Sequence, residues 1–244
     1  WIGVIPFFTL PFFFKYFPES LSFNVIKKKT DELASVLNRV DPGGNYKNSD
    51  SYQFSNGQKA YKGSTVKKII ENNRTVSTIA IWFAVFSCLL MVYGLNTWLP
   101  KIMQQSGYGM TSSLSFNLVL CCGQVLGSLF GGYLAEKIGH KRILISLYIL
   151  GAVCFVSLSL TSNLFLLYIL IMIGGACTVG NMNLANPYIA EYYPPEARAT
   201  GMGWALGFGR IGAILAPTLI AYILAIGIAP QNAFIAFAIP SIVG

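Results

Sequence analysis

A single arginine interrupts the segment GWALGFGRIGAILAP, residues 203–217, which is otherwise apolar and rich in glycine. Arg210 carries a permanent charge, and its planar guanidinium binds a carboxylate through two parallel hydrogen bonds. A charged side chain in an apolar span usually faces a bundle interior or an aqueous cavity, where it marks a substrate or ion pathway. We therefore expect Arg210 to bind an organic anion, with a structural ion pair to an acidic residue elsewhere in the protein as the alternative.

Four amide side chains also lie in apolar stretches: Asn117, Gln124, Asn181 and Asn183. We expect Gln124 to lie at a depth similar to that of Arg210 and to donate a hydrogen bond to the same ligand. Hydrogen bonding between helices would account for all four amides equally well. Tyr93 and Asn96 are expected near the outer face, where a belt of aromatic side chains would account for Tyr93 without a ligand.

Acid–base and metal chemistry have no candidate residues within the long apolar stretches. These stretches contain no Asp, Glu or His, and the five cysteines lie in them without the spacing of metal ligands. We therefore expect no enzyme activity, no metal and no cofactor. If the protein moves protons, the titrating residue is expected outside this chain.

Long apolar blocks position these side chains, since 54% of the 244 residues are hydrophobic and only 11% are charged. A helix needs about 20 apolar residues to cross the hydrocarbon core of a bilayer. Five blocks are long enough: residues 76–99, 112–135, 142–162, 164–189 and 199–226. Arg210 would lie about 15 Å into the last of them, close to its middle. Residues 1–14 and 231–244 are shorter, and we expect them to be parts of two further spans in a fragment of a longer protein.

The net charge of +8 predicts the orientation of the spans rather than binding of nucleic acid. Of the 17 Lys and Arg residues, most lie in the hydrophilic segment 15–75 or in the turns at 136–142 and 190–198. Because cytoplasmic loops carry an excess of Lys and Arg, we expect these three regions to face the cytoplasm. Within segment 15–75, residues 30–40 have the pattern of a short amphipathic helix.

A short basic turn joins the second and third apolar blocks in the stretch GGYLAEKIGHKR, residues 131–142. A carboxylate at such a turn can bind the positive end of a neighbouring helix, while basic residues stay at the cytoplasmic surface. We interpret Glu136 as part of a latch between two conformations, the alternative being that the basic residues only set orientation. His140 is expected to have no partner.

Two further stretches accompany this turn, FPES at residues 17–20 and EYYPPEARATGMGW at residues 191–204. The three motifs, in this order and spacing, resemble those of the major facilitator superfamily of membrane transporters. The resemblance rests on Gly132, Glu136, Lys137, Gly139, Lys141 and Arg142 in the first turn, and on Glu191, Pro194, Arg198 and Gly201 in the second. Glu136 stands where the family usually has Asp. YGLNTWLPKIM, residues 93–103, and the segment around Arg210 resemble the branch of aromatic-acid and other organic-anion:proton symporters.

This resemblance implies an all-α, polytopic membrane protein, of which the chain is the second six-helix bundle in a twelve-span transporter. It implies secondary active transport by alternating access, with proton-coupled symport of a small organic anion such as an aromatic carboxylate. Its partners would be the substrate, protons, membrane lipid and the first six-helix half, in a bacterial cytoplasmic membrane. Arg210, Gln124, Asn117 and Asn181 would serve substrate binding or coupling, and the two basic turns would form the latch. Transport of sugars or drugs is the alternative within the family, and a membrane sensor or scaffold is the alternative outside it.

Overall fold

The computed structural model describes residues 29–41, 43–50, 52, 65–71 and 74–244. Every regular element in these residues is a helix, and they contain no strand, which confirms the predicted all-α class. The chain divides into two compact units, residues 1–63 and 64–244. The predicted span end at 1–14, the stretch at 17–20 and much of segment 15–75 lie outside the described residues.

In the first unit, helix α1 covers Thr30–Val40, where the sequence pattern predicts an amphipathic helix. Leu33 and Ala34 are its buried residues. Asn38, in the last turn of α1, makes two hydrogen bonds with Tyr46. Its side chain donates to the Tyr46 carbonyl at 2.8 Å and accepts from the Tyr46 backbone amide at 2.9 Å. These bonds fold the chain back against the end of α1.

The second unit begins with the short helix α2, Thr65–Ile70. Five long helices follow: α3 Thr75–Gln105, α4 Met110–Ile138, α5 His140–Leu160, α6 Leu164–Tyr192 and α7 Pro195–Ala225. All five are long and apolar enough to cross a membrane. They coincide with the five predicted spans, apart from extensions at their ends. The chain finishes with a 3₁₀ turn, Pro230–Phe234, and helix α8, Ile235–Val243, where a partial span is predicted.

Close backbone contacts hold the long helices in two pairs, α3 with α7 and α4 with α6. Gly123 and Gly127 of α4 face the backbone of α6 at Met172 and Ala176, so closely that a side chain at either glycine would overlap it. On α7, Gly212 faces the backbone of α3 at Phe86 in the same way, and Gly209 faces the side chains of Val85 and Leu89. Gly123 and Gly127 therefore form a packing surface on α4 that lets the backbone of α6 approach closely.

Candidate functional site

Arg210 lies halfway along α7, which runs from Pro195 to Ala225. Its Nη1 atom donates a hydrogen bond to the hydroxyl oxygen of Tyr93 on α3, at 3.0 Å. Gly203 and Gly207 precede it on the same face of the helix, and a Cβ atom at either would meet no atom within 4 Å. The arginine side chain is exposed in this bundle. Arg210 thus lies at the middle of its helix, as predicted, and the helix face that carries it has open space.

Gln124 occupies the equivalent position on α4, halfway between Met110 and Ile138. Its Nε2 atom lies 3.3 Å from Asn96 Oδ1 on α3 and donates to it. The Asn96 amide in turn donates to the Val92 carbonyl within its own helix, at 2.7 Å. Gln124 therefore contacts a neighbouring helix and does not touch Arg210.

The two hydrogen-bonded pairs, Arg210 with Tyr93 and Gln124 with Asn96, share one turn of α3. Tyr93 and Asn96 are three residues apart, so they are neighbours on one face of that helix. Arg210 from α7 and Gln124 from α4 each bind one of these two side chains. A guanidinium, a phenol and two amides are therefore linked through one face of α3. This group of four is called the polar site below.

The apolar block from which Tyr93 and Asn96 are expected near the outer face ends at residue 99, just before Pro100. Their depth in a membrane stays a prediction. The helix in fact continues through Pro100 to Gln105, so Tyr93 lies twelve residues from its end. Both residues fall within the stretch YGLNTWLPKIM. That stretch and the segment around Arg210, which together carry the finer resemblance, supply three of the four members of the polar site.

The hydrogen bonds continue from Gln124 to α6. Ser128 donates to the Gln124 carbonyl at 2.8 Å, and the Asn183 amide donates to the Ser128 hydroxyl at 2.7 Å. Asn183 thus bonds between helices, one of the two roles predicted for it. Asn117 and Asn181 are not brought to the polar site by any hydrogen bond among the described residues. Asn181 is only 1% exposed, and neither of its side-chain polar atoms has a partner in the described part of the chain.

The two basic turns contact each other through a pair that the sequence did not predict. His140 Nδ1 lies 3.2 Å from Glu191 Oε1, and the two form an ion pair when the histidine is protonated. The expectation that His140 has no partner is therefore wrong. Its partner lies 51 residues further along the chain, near the end of α6, and local sequence does not reveal such a contact. Gly139, with φ at 100°, allows α4 to end and α5 to begin at His140 without further residues.

The other predicted latch residues lie at the surface of the turns. Glu136 is exposed and makes no ion pair or hydrogen bond within the described residues. Lys137 binds the hydroxyl of Tyr133, one turn earlier on α4, and its Nζ atom lies 4.3 Å from the centre of that ring. Three basic residues are exposed: Lys141, Arg142 and Arg198. Gly132 has open space where a side chain would be. A latch role for this set stays a prediction.

The fold and the polar site define a class of protein. Five helices long and apolar enough to cross a membrane, with cationic and amide side chains along them, are the architecture of an integral, multi-pass membrane protein. The family described as Major Facilitator Superfamily matches residues 81–244, and the chain belongs to it.

Similar proteins of this family are named as transporters of aromatic acids. A benzoate transport protein of Acinetobacter baylyi is 35% identical over 243 residues, covering 100% of this chain and 52% of that protein. A gentisate transporter of Corynebacterium glutamicum is 35% identical over 65% of this chain and 36% of its own length. A 4-hydroxybenzoate transporter of Pseudomonas putida is 27% identical over 98% of this chain and 54% of its own length.

The chain spans about half the length of the relatives that it matches over nearly all its residues. The predicted family and its aromatic-acid branch agree with these similarities. The relatives are named as transporters rather than enzymes, as expected for this chain.

Proposed function

We propose that the chain is the C-terminal bundle of a secondary active transporter that moves a small aromatic carboxylate together with protons. The observation that carries this proposal is the hydrogen bond between Arg210 and Tyr93 in the middle of the apolar helices. Arg210 uses one of its five N–H donors to bind Tyr93. Two other N–H donors in the plane of the guanidinium stay available for the two oxygens of a carboxylate. The Tyr93 oxygen accepts that bond, so its own O–H group can donate to the same anion.

Gln124 and Asn96 supply the neutral part of the site. Gln124 donates to Asn96 through Nε2, so its Oε1 atom stays available as an acceptor. A carboxylate on Arg210 would place its substituents near this acceptor, since Tyr93 and Asn96 lie on the same turn. Gln124 would then bind a hydroxyl group on the substrate ring. A cation for the carboxylate and an acceptor for a ring hydroxyl together suit hydroxylated aromatic acids, as named for the gentisate and 4-hydroxybenzoate transporters.

Proton coupling requires a titrating group that faces this site. In the described helices the acidic residues lie near the ends, such as Glu136 on α4 and Glu191 on α6. We place the coupling carboxylate in the first six-helix half. There it would pair with Arg210 when ionised and release the guanidinium to the substrate when protonated.

Alternating access would be achieved by rocking of the two halves around the polar site. A site at the middle of the bilayer is reached from either face in turn, without moving far itself. In the proposed cycle, the cytoplasmic turns that carry Glu136, His140 and Glu191 hold the inner face closed and then separate.

Uptake of labelled benzoate into proteoliposomes tests this proposal, using the full-length transporter and an imposed inward proton gradient. We expect uptake that a protonophore abolishes. Arg210→Lys should reduce binding at least tenfold, because a point charge does not reproduce the two-bond fork, and Arg210→Ala should abolish it. Lys101→Ala, which removes a cation at the outer end of α3, is the matched control and should retain uptake.

Several outcomes would contradict the proposal. Wild-type affinity for benzoate in well-folded Arg210→Ala protein would eliminate the carboxylate clamp. Low folded yield of the arginine variants, restored together with benzoate uptake by neutralising an acid in the other half, would show a structural ion pair rather than a carboxylate clamp. Uptake of a sugar or drug in place of benzoate would support the alternative transporter class, and no flux of any solute would support a sensor or scaffold.

A further inference from the structure

A cavity of about 500 Å³ opens between α3 and α7, on the cytoplasmic side of Arg210 in the proposed topology. Its walls include Trp82 of α3 and Trp204 and Phe208 of α7, and its floor includes Gly203 and Gly207. No charged side chain is among its lining residues. The volume falls within the range of pockets that bind small molecules, which is roughly 300–1,000 Å³.

Three aromatic rings form one wall of this cavity. The Trp82 ring stacks on Trp204 with centroids 5.8 Å apart and planes at 16°, and on Phe208 with centroids 5.8 Å apart and planes at 29°. Phe83 supports Phe208 from its edge, at a centroid distance of 5.5 Å and an angle of 67°. Such a wall favours a further planar ring, because offset-stacked aromatic pairs gain free energy beyond the burial of their area.

Glycine keeps the cavity open. A Cβ atom at Gly203 or Gly207 would meet no atom within 4 Å, whereas one at Gly209 or Gly212 would collide with α3. Four glycines on one helix therefore divide into two that pack against a neighbour and two that do not. Glycine is unfavourable inside a helix by about 1 kcal/mol relative to alanine, and no close packing contact in the described bundle requires glycine at positions 203 and 207.

The cavity lies beside Arg210 on α7, since Gly207 and Ile211, on either side of it in the sequence, both line the cavity. Gly203, Gly207 and Arg210 follow each other at the spacing of one helical face, and Gly207 lies about 4.5 Å below Arg210 along the axis. A long side chain on a helix leans over the turn that precedes it, which here is the turn of Gly207. In this structure the hydrogen bond to Tyr93 holds the guanidinium instead. Release from Tyr93 would allow it to reach the mouth of the cavity.

We propose that this cavity is a ring subsite, which takes the aromatic ring of a substrate whose carboxylate is bound by Arg210 after that side chain leaves Tyr93. The assignment rests on the proposed function and adds to it a second position for the substrate, on the side of Arg210 towards the cytoplasm. The aromatic wall favours a planar substrate ring. The open space at Gly203 and Gly207 limits how thick that ring can be.

Benzoate binding to the purified full-length transporter, followed by tryptophan fluorescence, tests the ring subsite. Gly207→Leu fills the cavity and should weaken benzoate binding at least tenfold. Ala225→Leu adds the same side chain at an exposed position near the end of α7 and should change it less than twofold. Equal affinity in both variants would overturn the ring subsite while leaving the proposed function intact. Absence of benzoate binding to the wild type would instead overturn the proposed function.

A second measurement does not depend on the folding of Gly207→Leu. Gly207→Cys is introduced with the exposed Cys121 and Cys122 replaced by Ser, and a small thiol reagent is applied with and without saturating benzoate. We expect labelling without benzoate and at least fivefold slower labelling with it. No labelling in either condition would show that another helix of the protein fills the cavity, and labelling unchanged by benzoate would show that the ring does not enter. Either result overturns the ring subsite.

Discussion

At the scale of single residues, the proposed role of Arg210 depends on a partner, Tyr93, that holds the guanidinium in place without neutralising it. Tyr93 is a neutral partner, so the guanidinium keeps its full charge for an anion. An acidic partner in the same position would satisfy the arginine and compete with substrate. The assignment of Arg210 to carboxylate binding therefore depends on the hydroxyl of Tyr93 as much as on the arginine.

Removal of that hydroxyl gives the first prediction at this scale. Tyr93→Phe keeps the ring and removes the acceptor for Arg210, so binding of benzoate should weaken about tenfold or more, since a hydrogen bond to a charged group is worth roughly 1.5–3 kcal/mol. Equilibrium binding to the full-length protein measures the effect. Tyr222→Phe removes a hydroxyl from an exposed tyrosine of α7 and serves as the control. Unchanged binding in Tyr93→Phe would show that this hydroxyl does not act on the substrate.

At the scale of helices and turns, the start of α3 is tied to the turn between α6 and α7. Tyr193 is only 1% exposed, and its hydroxyl donates to Thr78 Oγ1 at 3.0 Å. Thr78 donates in turn to the Ile69 carbonyl of α2, also at 3.0 Å. The Tyr193 ring covers Gly201, where a Cβ atom would lie 2.5 Å from Cδ2 of the ring. Gly201, a residue of the family motif, thus makes room for a buried tyrosine.

Gly201→Ala should destabilise the protein by about 1–3 kcal/mol, because the ring that it displaces is buried and hydrogen-bonded. Thermal unfolding of the detergent-solubilised transporter measures this change. Gly132→Ala is the matched control, since a Cβ atom there meets no atom within 4 Å and alanine favours a helix. Equal melting temperatures for the two variants would contradict the packing role of Gly201.

The pair between His140 and Glu191 gives a second prediction at this scale. The glutamate is 63% exposed, so we expect the pair to contribute no more than about 1 kcal/mol, or up to fivefold in the equilibrium between closed and open turns. His140→Ala and Glu191→Gln should change the transport rate to similar extents, and the double variant should change it no further. Glu32→Gln, in an exposed pair on α1, is the control. Additive effects of the two substitutions would show that the pair is not coupled.

Hydrophobicity alone predicted the five spans, because apolar length decides whether a helix crosses a membrane. It did not predict the polar site in full. The end of α3 was placed at the proline, although a helix in a bundle can continue through one when neighbouring groups satisfy the freed carbonyl. The bonds of Gln124 to Asn96 and of Asn183 to Ser128 join different helices and depend on their rotation about their axes. The residue type indicated that Gln124 would form a hydrogen bond within the bundle, but it did not indicate the partner.

At the scale of the whole molecule, the distribution of charge predicts its orientation in the membrane. Segment 15–75 and the turns at 136–142 and 190–198 carry most of the 17 Lys and Arg residues. The two turns lie at one end of the long helices, where His140 contacts Glu191. Two regions that the sequence assigned to one side of the membrane are therefore on one side of the bundle. The same orientation places the aromatic cavity between Arg210 and the cytoplasm.

Cysteine labelling in sealed cells tests this orientation. Gly57→Cys lies in segment 15–75, and Gln105→Cys lies at the exposed end of α3, in the opposite set of turns. Both variants carry Ser in place of Cys121 and Cys122. An impermeant thiol reagent should label position 105 in intact cells, and position 57 only after the cells are opened. This difference is expected because the excess of Lys and Arg keeps segment 15–75 in the cytoplasm. Labelling of position 57 from outside, with position 105 protected, would reverse every span. The aromatic cavity would then lie on the outer side of Arg210, and its ring subsite would be occupied before the carboxylate reaches Tyr93 rather than after it.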